Sequence, residues 1–170
     1  QNMYFNAYIG EKRITRYVRE FEDKFNYTWS STPRLIGKFW YYQERNVTEQ
    51  RPRYLRCRKP FRDSQLILDS NKLPPDVKVA LFQPSLSGDY YIYEITQSGS
   101  EKTIIHIGNM SNSQPVDKEI MVGRGGYCKW LDDESGFYYK KPDPLLVEKS
   151  QPDYYQRIYF HRLGDDPSDD

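Results

Sequence analysis

The chain has 170 residues, 25 Lys and Arg against 24 Asp and Glu, and a formal net charge of +1. Aromatic residues reach 16%, with 16 tyrosines, a content foreign to disordered chains. No run approaches the roughly 18 apolar residues of a membrane helix, and the balanced charge gives no general attraction to nucleic acid or to an anionic membrane.

Residues 1 to about 25 read as helical. Ile14, Tyr17, Val18, Phe21 and Phe25 fall on one face of a 3.6-residue period. Glu11, Lys12, Arg16, Arg19, Glu20, Glu22 and Asp23 take the other positions. Acids balance bases there, so the pattern predicts a packing helix and not a membrane-surface one. Gln1-Asn2-Met3-Tyr4 shows no basic and apolar leader, which sets a cytoplasmic expectation. Three sequons, at Asn26, Asn46 and Asn109, keep secretion open as the alternative. Cys57 and Cys128 lie far apart and no Cys or His pair has zinc spacing, so buried thiols and no metal or cofactor are expected.

From about residue 28 the chain turns to short β-type runs punctuated by Gly, Pro, Ser and Asp. These runs repeat. Gly37-Lys38-Phe39-Trp40-Tyr41-Tyr42 is echoed by Gly88-Asp89-Tyr90-Tyr91-Ile92-Tyr93 and by Gly136-Phe137-Tyr138-Tyr139. The glycines are spaced 51 and 48 residues apart, a period that suits a four-stranded propeller blade. Each unit carries a short run before the glycine (Tyr27–Trp29, Val79–Phe82, Tyr127–Leu131) and another after the aromatic one (Arg53–Cys57, Thr103–Ile107, Arg157–His161). Gln65–Leu68 and Glu119–Val122 add a fourth run to the first two units.

The predicted fold is therefore mainly β: a partial β-propeller of about two and three-quarter blades after an N-terminal amphipathic helix. Its segments are a helical stretch at 1–27 and blades at about 28–72, 78–122 and 126–170, the last incomplete. Blades depend on their neighbours and propellers close with about 4–8 of them, so the chain is expected to be part of something larger.

Several ordered stretches resemble the prolyl oligopeptidase family. They are Leu66-Ile67-Leu68-Asp69, Val79-Ala80-Leu81, Ser85-Leu86-Ser87-Gly88-Asp89-Tyr90-Tyr91-Ile92-Tyr93 and Ser98-Gly99-Ser100-Glu101. Trp130 with Asp132-Asp133-Glu134-Ser135-Gly136-Phe137-Tyr138-Tyr139, and Gln156-Arg157-Ile158-Tyr159-Phe160-His161-Arg162-Leu163-Gly164, complete the set. Gln1-Asn2 and the helix after it are similar to the segment leading from that family's peptidase domain into its propeller. The resemblance implies a serine peptidase cutting short peptides after proline. An α/β-hydrolase domain would carry Ser, Asp and His, under a seven-bladed propeller that excludes large substrates. The partners implied are the rest of the propeller, the hydrolase domain on the same polypeptide or a cleaved second chain, and short proline-containing peptides.

The chemistry itself is not legible here. No Gly-x-Ser-x-Gly elbow occurs. Ser98-Gly99-Ser100 lies between two strands and reads as a hairpin turn. His106 and His161, the two histidines, sit in strands and have no nucleophile in view. No catalytic residue is assigned, and the isolated chain is expected to be inert. For the substrate-pocket rim, the family places an aromatic before the tryptophan matched by Trp130. That position is Gly125, with Arg124 and Tyr127 as nearby candidates for compensation. A flexible inter-blade loop is the simpler reading of these glycines. Lys140-Lys141-Pro142-Asp143-Pro144 through Pro152-Asp153 reads as a gating or inter-domain loop.

Arg51, Arg53, Arg56, Arg58, Lys59 and Arg62 place six bases within twelve residues. Strand alternation would divide them between two faces, so a solvated outer strand is expected instead of a basic face. Two readings of function follow. One is the filter of a prolyl oligopeptidase-like enzyme; the other is a non-catalytic, peptidase-derived scaffold or interaction subunit, which the missing aromatic at Gly125 favours.

Overall fold

The computed structural model describes residues 8, 10–98, 100, 102–123, 127–143 and 155–170. Helix α1 (Glu11–Phe25) opens the chain. Its Arg16–Glu20 pair spans one turn at 2.8 Å. On its apolar stripe Tyr17, Val18 and Phe21 are largely exposed. The periodicity was sufficient to form the helix but does not name the surface that covers it.

Three antiparallel sheets follow, each a meander, and together they are the partial propeller the repeat predicts. Sheet one runs in the order β1 (Trp29–Ser30), β3 (Phe39–Arg45), β4 (Arg53–Cys57), β5 (Gln65–Asp69), with β2 (Arg34–Ile36) also on β3. The inner strand is thus split in two. Pro33 lies in the gap, where it has no N–H to give to the ladder. Ser31 keeps the ladder going, since Ser31 N–H donates to the Gln43 carbonyl and Ser31 Oγ accepts from Gln43 N–H, both at 2.9 Å. Sheet two is β6 (Val77–Pro84), β7 (Tyr90–Gln97), β8 (Thr103–Asn109), β9 (Ile120–Val122). Sheet three is β10 (Cys128–Trp130), β11 (Gly136–Pro142), β12 (Gln156–Arg162). Strand β4 lies between β3 and β5, with Tyr54, Leu55 and Cys57 buried, so it is an interior strand and not the solvated outer one expected.

The apolar core sits in the seams between sheets. Along β7, Tyr91 packs with Tyr41, Ile67 and Met110 towards sheet one. Its neighbour Ile92 packs with Ile105, Ile107, Trp130, Phe137 and Tyr139 towards sheet three. Successive residues point to opposite faces, and both faces are covered, which is why Tyr-Tyr-Ile-Tyr reads as a continuous apolar run. Aromatic rings carry the first seam across: Tyr54 to Phe82 at 4.7 Å, Phe82 to Tyr91 at 5.6 Å, Tyr91 to Tyr93 at 5.8 Å, Tyr93 to His106 at 4.8 Å. Such pairs contribute about 0.5–1.5 kcal/mol each beyond area burial.

The repeated glycines have contact reasons. Gly37 has φ +57, and a Cβ there would lie 1.9 Å from the Leu86 carbonyl oxygen in the neighbouring sheet. At Gly136 a Cβ would meet the His161 carbonyl oxygen at 2.3 Å.

Candidate substrate-facing rim

Meander topology gives each sheet two ends. Turns within the first and second strand pairs emerge at one, the turn end. The middle turns and the crossings between sheets emerge at the other, the crossing end, which among the described residues includes 46–52, 70–76, 98, 100, 102, 123, 127, 143 and 155. Of the expected rim residues, Tyr127 therefore belongs to the crossing end.

Arg51 organises the crossing from sheet one to sheet two. Its Nη1 donates to the carbonyls of Pro74 (2.8 Å) and Val77 (2.6 Å), and its Nη2 to that of Leu73 (2.7 Å). Asn71 completes the clamp, accepting from Arg51 N–H through Oδ1 at 3.1 Å and donating from Nδ2 to the Arg51 carbonyl at 2.8 Å. Asp69 caps the turn below by accepting from Asn71 N–H at 3.0 Å. A depression of about 540 Å³ opens beside it, lined by Thr48, Glu49, Gln50, Arg51, Asn71, Pro75 and Lys78. On the axis side, a groove of about 320 Å³ runs between the inner strands of sheets one and two, with Arg34, Tyr41, Tyr54 and Phe82 among its walls.

At the crossing from sheet two to sheet three, Tyr127 stands half-exposed just before β10. Arg124 and Gly125, the other two rim candidates, lie outside the described residues, as does most of the 140–153 loop. Asp143 is buried to 2% exposure, and Arg157 Nε lies 2.7 Å from its Oδ2, although the Arg157 side chain as a whole is more than half exposed. Gly123 lets this crossing close up, since a Cβ there would lie 2.7 Å from Pro142 Cγ. The end is thus a polar surface with a fixed cation and an exposed aromatic. Among the described residues it shows no group poised to cut a peptide.

Among the described residues neither histidine is paired with a nucleophile. His161 is fully buried in the second seam. Its Nδ1 is 2.9 Å from Asp170 Oδ1 and its Nε2 is 3.5 Å from Asp117 Oδ2, both carboxylates being nearly buried. Asp117 Oδ1 also accepts from Gly164 N–H at 2.9 Å, tying sheet two to sheet three. Tyr139 donates to Asp170 Oδ2 at 2.7 Å and accepts from Lys141 Nζ at 3.0 Å. Burial first, and then Asp170, pushes the Tyr139 hydroxyl well above the usual phenol range. His106 stacks on Tyr93, and burial holds its imidazole below the ordinary value, partly offset by Glu119. Cys128 faces the buried Glu94, its Sγ 3.4 Å from Oε1. Burial and that carboxylate push its thiol far up, which makes it inert. Among the described residues no group of His, Cys, Asp and Glu is placed to hold a metal ion.

The family profile described as the N-terminal β-propeller domain of prolyl oligopeptidase matches residues 1–170. This chain belongs to that family. It is 29% identical over 126 residues to prolyl oligopeptidase A from Amanita bisporigera, covering 62% of this chain and 17% of that protein. It is 27% identical over 115 residues to a prolyl oligopeptidase from Dendrothele bispora, covering 59% of this chain and 16% of that one. Prolyl oligopeptidase B from Galerina marginata, bound to a 35-residue substrate, has a structure that superposes with a TM-score of 0.77 at 16% identity, over 96% of this chain and 26% of that one. Oligopeptidase B from Leishmania major does so at 0.73 and 21% identity, over 98% and 24%. The chain thus spans about a sixth of the curated relatives and about a quarter of the solved ones. It is a propeller domain of prolyl oligopeptidase-family peptidases.

Sequence reasoning missed the Arg51 clamp and the Asp117–His161–Asp170 array. Both join residues whose partners are set by sheet stacking, and no local spacing announces them.

Proposed function

We propose that this chain is the propeller portion of a prolyl oligopeptidase-like serine endopeptidase and that it filters short proline-containing peptides by size. The cleavage belongs to an α/β-hydrolase domain outside the chain, on the same polypeptide or on a cleaved second chain. The observation that carries this reading is the ordered match of the propeller profile along all 170 residues. Three stacked sheets with a pinned crossing end suit it: they make one wall of a closed ring and leave further blades to complete it. The part of this chain is exclusion and positioning. Rigid walls keep folded proteins out, and a dry, bounded chamber strengthens every polar contact at the site of cutting.

The test is intact mass and activity on the native material. The reading expects a species several times the mass of this chain, cleaving a fluorogenic prolyl peptide and blocked by a serine-directed reagent. A lone chain bound to unrelated subunits, without cleavage, overturns it. That outcome would establish the second reading, a non-catalytic scaffold, which the glycine at position 125 favours.

A further inference from the structure

The basic run at residues 51–62 is sorted by the fold in a way that strand alternation does not anticipate. Arg51 and Arg53 go to the crossing end. There Arg51 is consumed by carbonyls, and Arg53 by Glu44 (2.9 Å) and Glu49 (3.3 Å). Arg56, Arg58, Lys59 and Arg62 go to the turn end, because β4 stops at Cys57 and the chain turns there. The register sets Arg56 opposite Tyr41, close to the Gly37-Lys38 turn, and so brings Lys38 to the same place. The result is five cations at one end of sheet one.

Three of them converge on a single ring. Arg56 Cζ lies 4.5 Å, Arg58 Cζ 5.4 Å and Lys38 Nζ 5.7 Å from the centroid of Phe39. Phe39 is a fixed platform, since Gly88 packs so closely that a Cβ there would sit 2.7 Å from the ring. Arg56 is fixed as well, donating from Nε to Gln65 Oε1 at 2.9 Å and from Nη1 to the Gly88 carbonyl at 2.5 Å. No carboxylate among the described residues lies within ion-pair distance of Lys38, Arg56, Arg58, Lys59 or Arg62, although Asp63 is close in the chain and Asp89 follows Gly88, whose carbonyl Arg56 holds. Among the described residues the donors of Arg58 and Lys38 have no hydrogen-bond acceptor. Like charges gathered on one face repel, and cation–π contact offsets only part of that. A bound oxyanion would neutralise them and accept from two free donor groups at once, a geometry in which arginine favours phosphate.

We propose that the turn end of the first blade is an oxyanion site of phosphate class, with Arg58 and Lys38 as its donors, Arg56 as its fixed wall and Phe39 as its floor. It lies at the opposite end of the sheets from the peptide rim and does not depend on the proposed peptidase role. The oxyanion is free phosphate or a phosphorylated side chain, and the test separates the two.

The experiment is titration calorimetry at constant ionic strength, with inorganic phosphate, a phosphoserine peptide and its unphosphorylated form. The expected result is saturable binding that weakens about tenfold or more in Lys38→Ala/Arg58→Ala, as loss of charge-assisted hydrogen bonds requires. Lys129→Ala, an exposed base on sheet three, serves as the control and should bind as the wild type does. The melting temperature of each variant checks folding, and the double variant should keep it because neither side chain is buried. Tighter binding of the phosphopeptide assigns the site to a phosphorylated partner, and equal binding assigns it to free phosphate. Absence of saturation by either ligand, or binding that survives the double substitution, overturns the proposal.

Discussion

Replacing Gly37 by Ala tests whether the first two blades are locked by their turns. The residue has φ +57, where an L side chain costs about 1–2 kcal/mol. The new Cβ would also lie 1.9 Å from the carbonyl oxygen of Leu86, which is backbone of the neighbouring blade and cannot swing aside as a side chain can. Relief requires the two turns to part, an overpacking cost of about 1–3 kcal/mol. The expected loss is about 2–5 kcal/mol, a large share of the roughly 5–15 kcal/mol of an ordinary domain. Gly164→Ala is the matched comparison: φ is +92 but nothing lies within 4 Å of the added Cβ, so only the conformational cost applies. Urea unfolding of both variants separates the terms, with the midpoint falling further for Gly37→Ala. Equal losses would refute the blade-to-blade contact.

Three further outcomes follow from the seams. Asp117→Ala should cost about 3–5 kcal/mol, because it strips a buried array of one partner, while Asp117→Asn retains an acceptor for Gly164 N–H and should cost less; losses below half a kcal/mol in both, by urea unfolding, would count against the array. His106 has its folded pKa below the unfolded value, so the unfolded chain takes the proton first and stability falls as pH drops below about 6.5. The decline in urea midpoint between neutral and mildly acidic pH should therefore be shallower in His106→Gln, and an unchanged slope would contradict this. Cys57 and Cys128 are buried, and neither should react with a thiol reagent at mildly alkaline pH until urea unfolds the chain; rapid labelling of the native protein would show that a seam is open.

How far the sequence reaches can be seen in particular residues. The glycines at 37, 88 and 136 announced the blades because each is needed where a turn or a neighbouring strand comes too close for a side chain. The fourth strands were legible from Gln65–Leu68 and Glu119–Val122, which become β5 and β9. The split at Pro33 and the bulge between Tyr54 and Leu55 were not legible, since both are adjustments to pairing partners far along the chain. His161 read as an ordinary strand histidine because Asp117 lies 44 residues away, in the connection between β8 and β9 of another sheet. The basic run looked divided between two faces, and it was the end of β4, not the alternation, that decided where its charges went.

The proposed role of this chain is to filter peptides by size. The most direct measurement is cleavage after proline by the complete polypeptide that carries this chain, over proline-containing peptides of increasing length up to a folded protein with an exposed proline. A size filter gives rapid cleavage of the short peptides, a steep fall with length, and none of the folded protein. Cleavage that does not depend on length, or no cleavage of any of them, would contradict it.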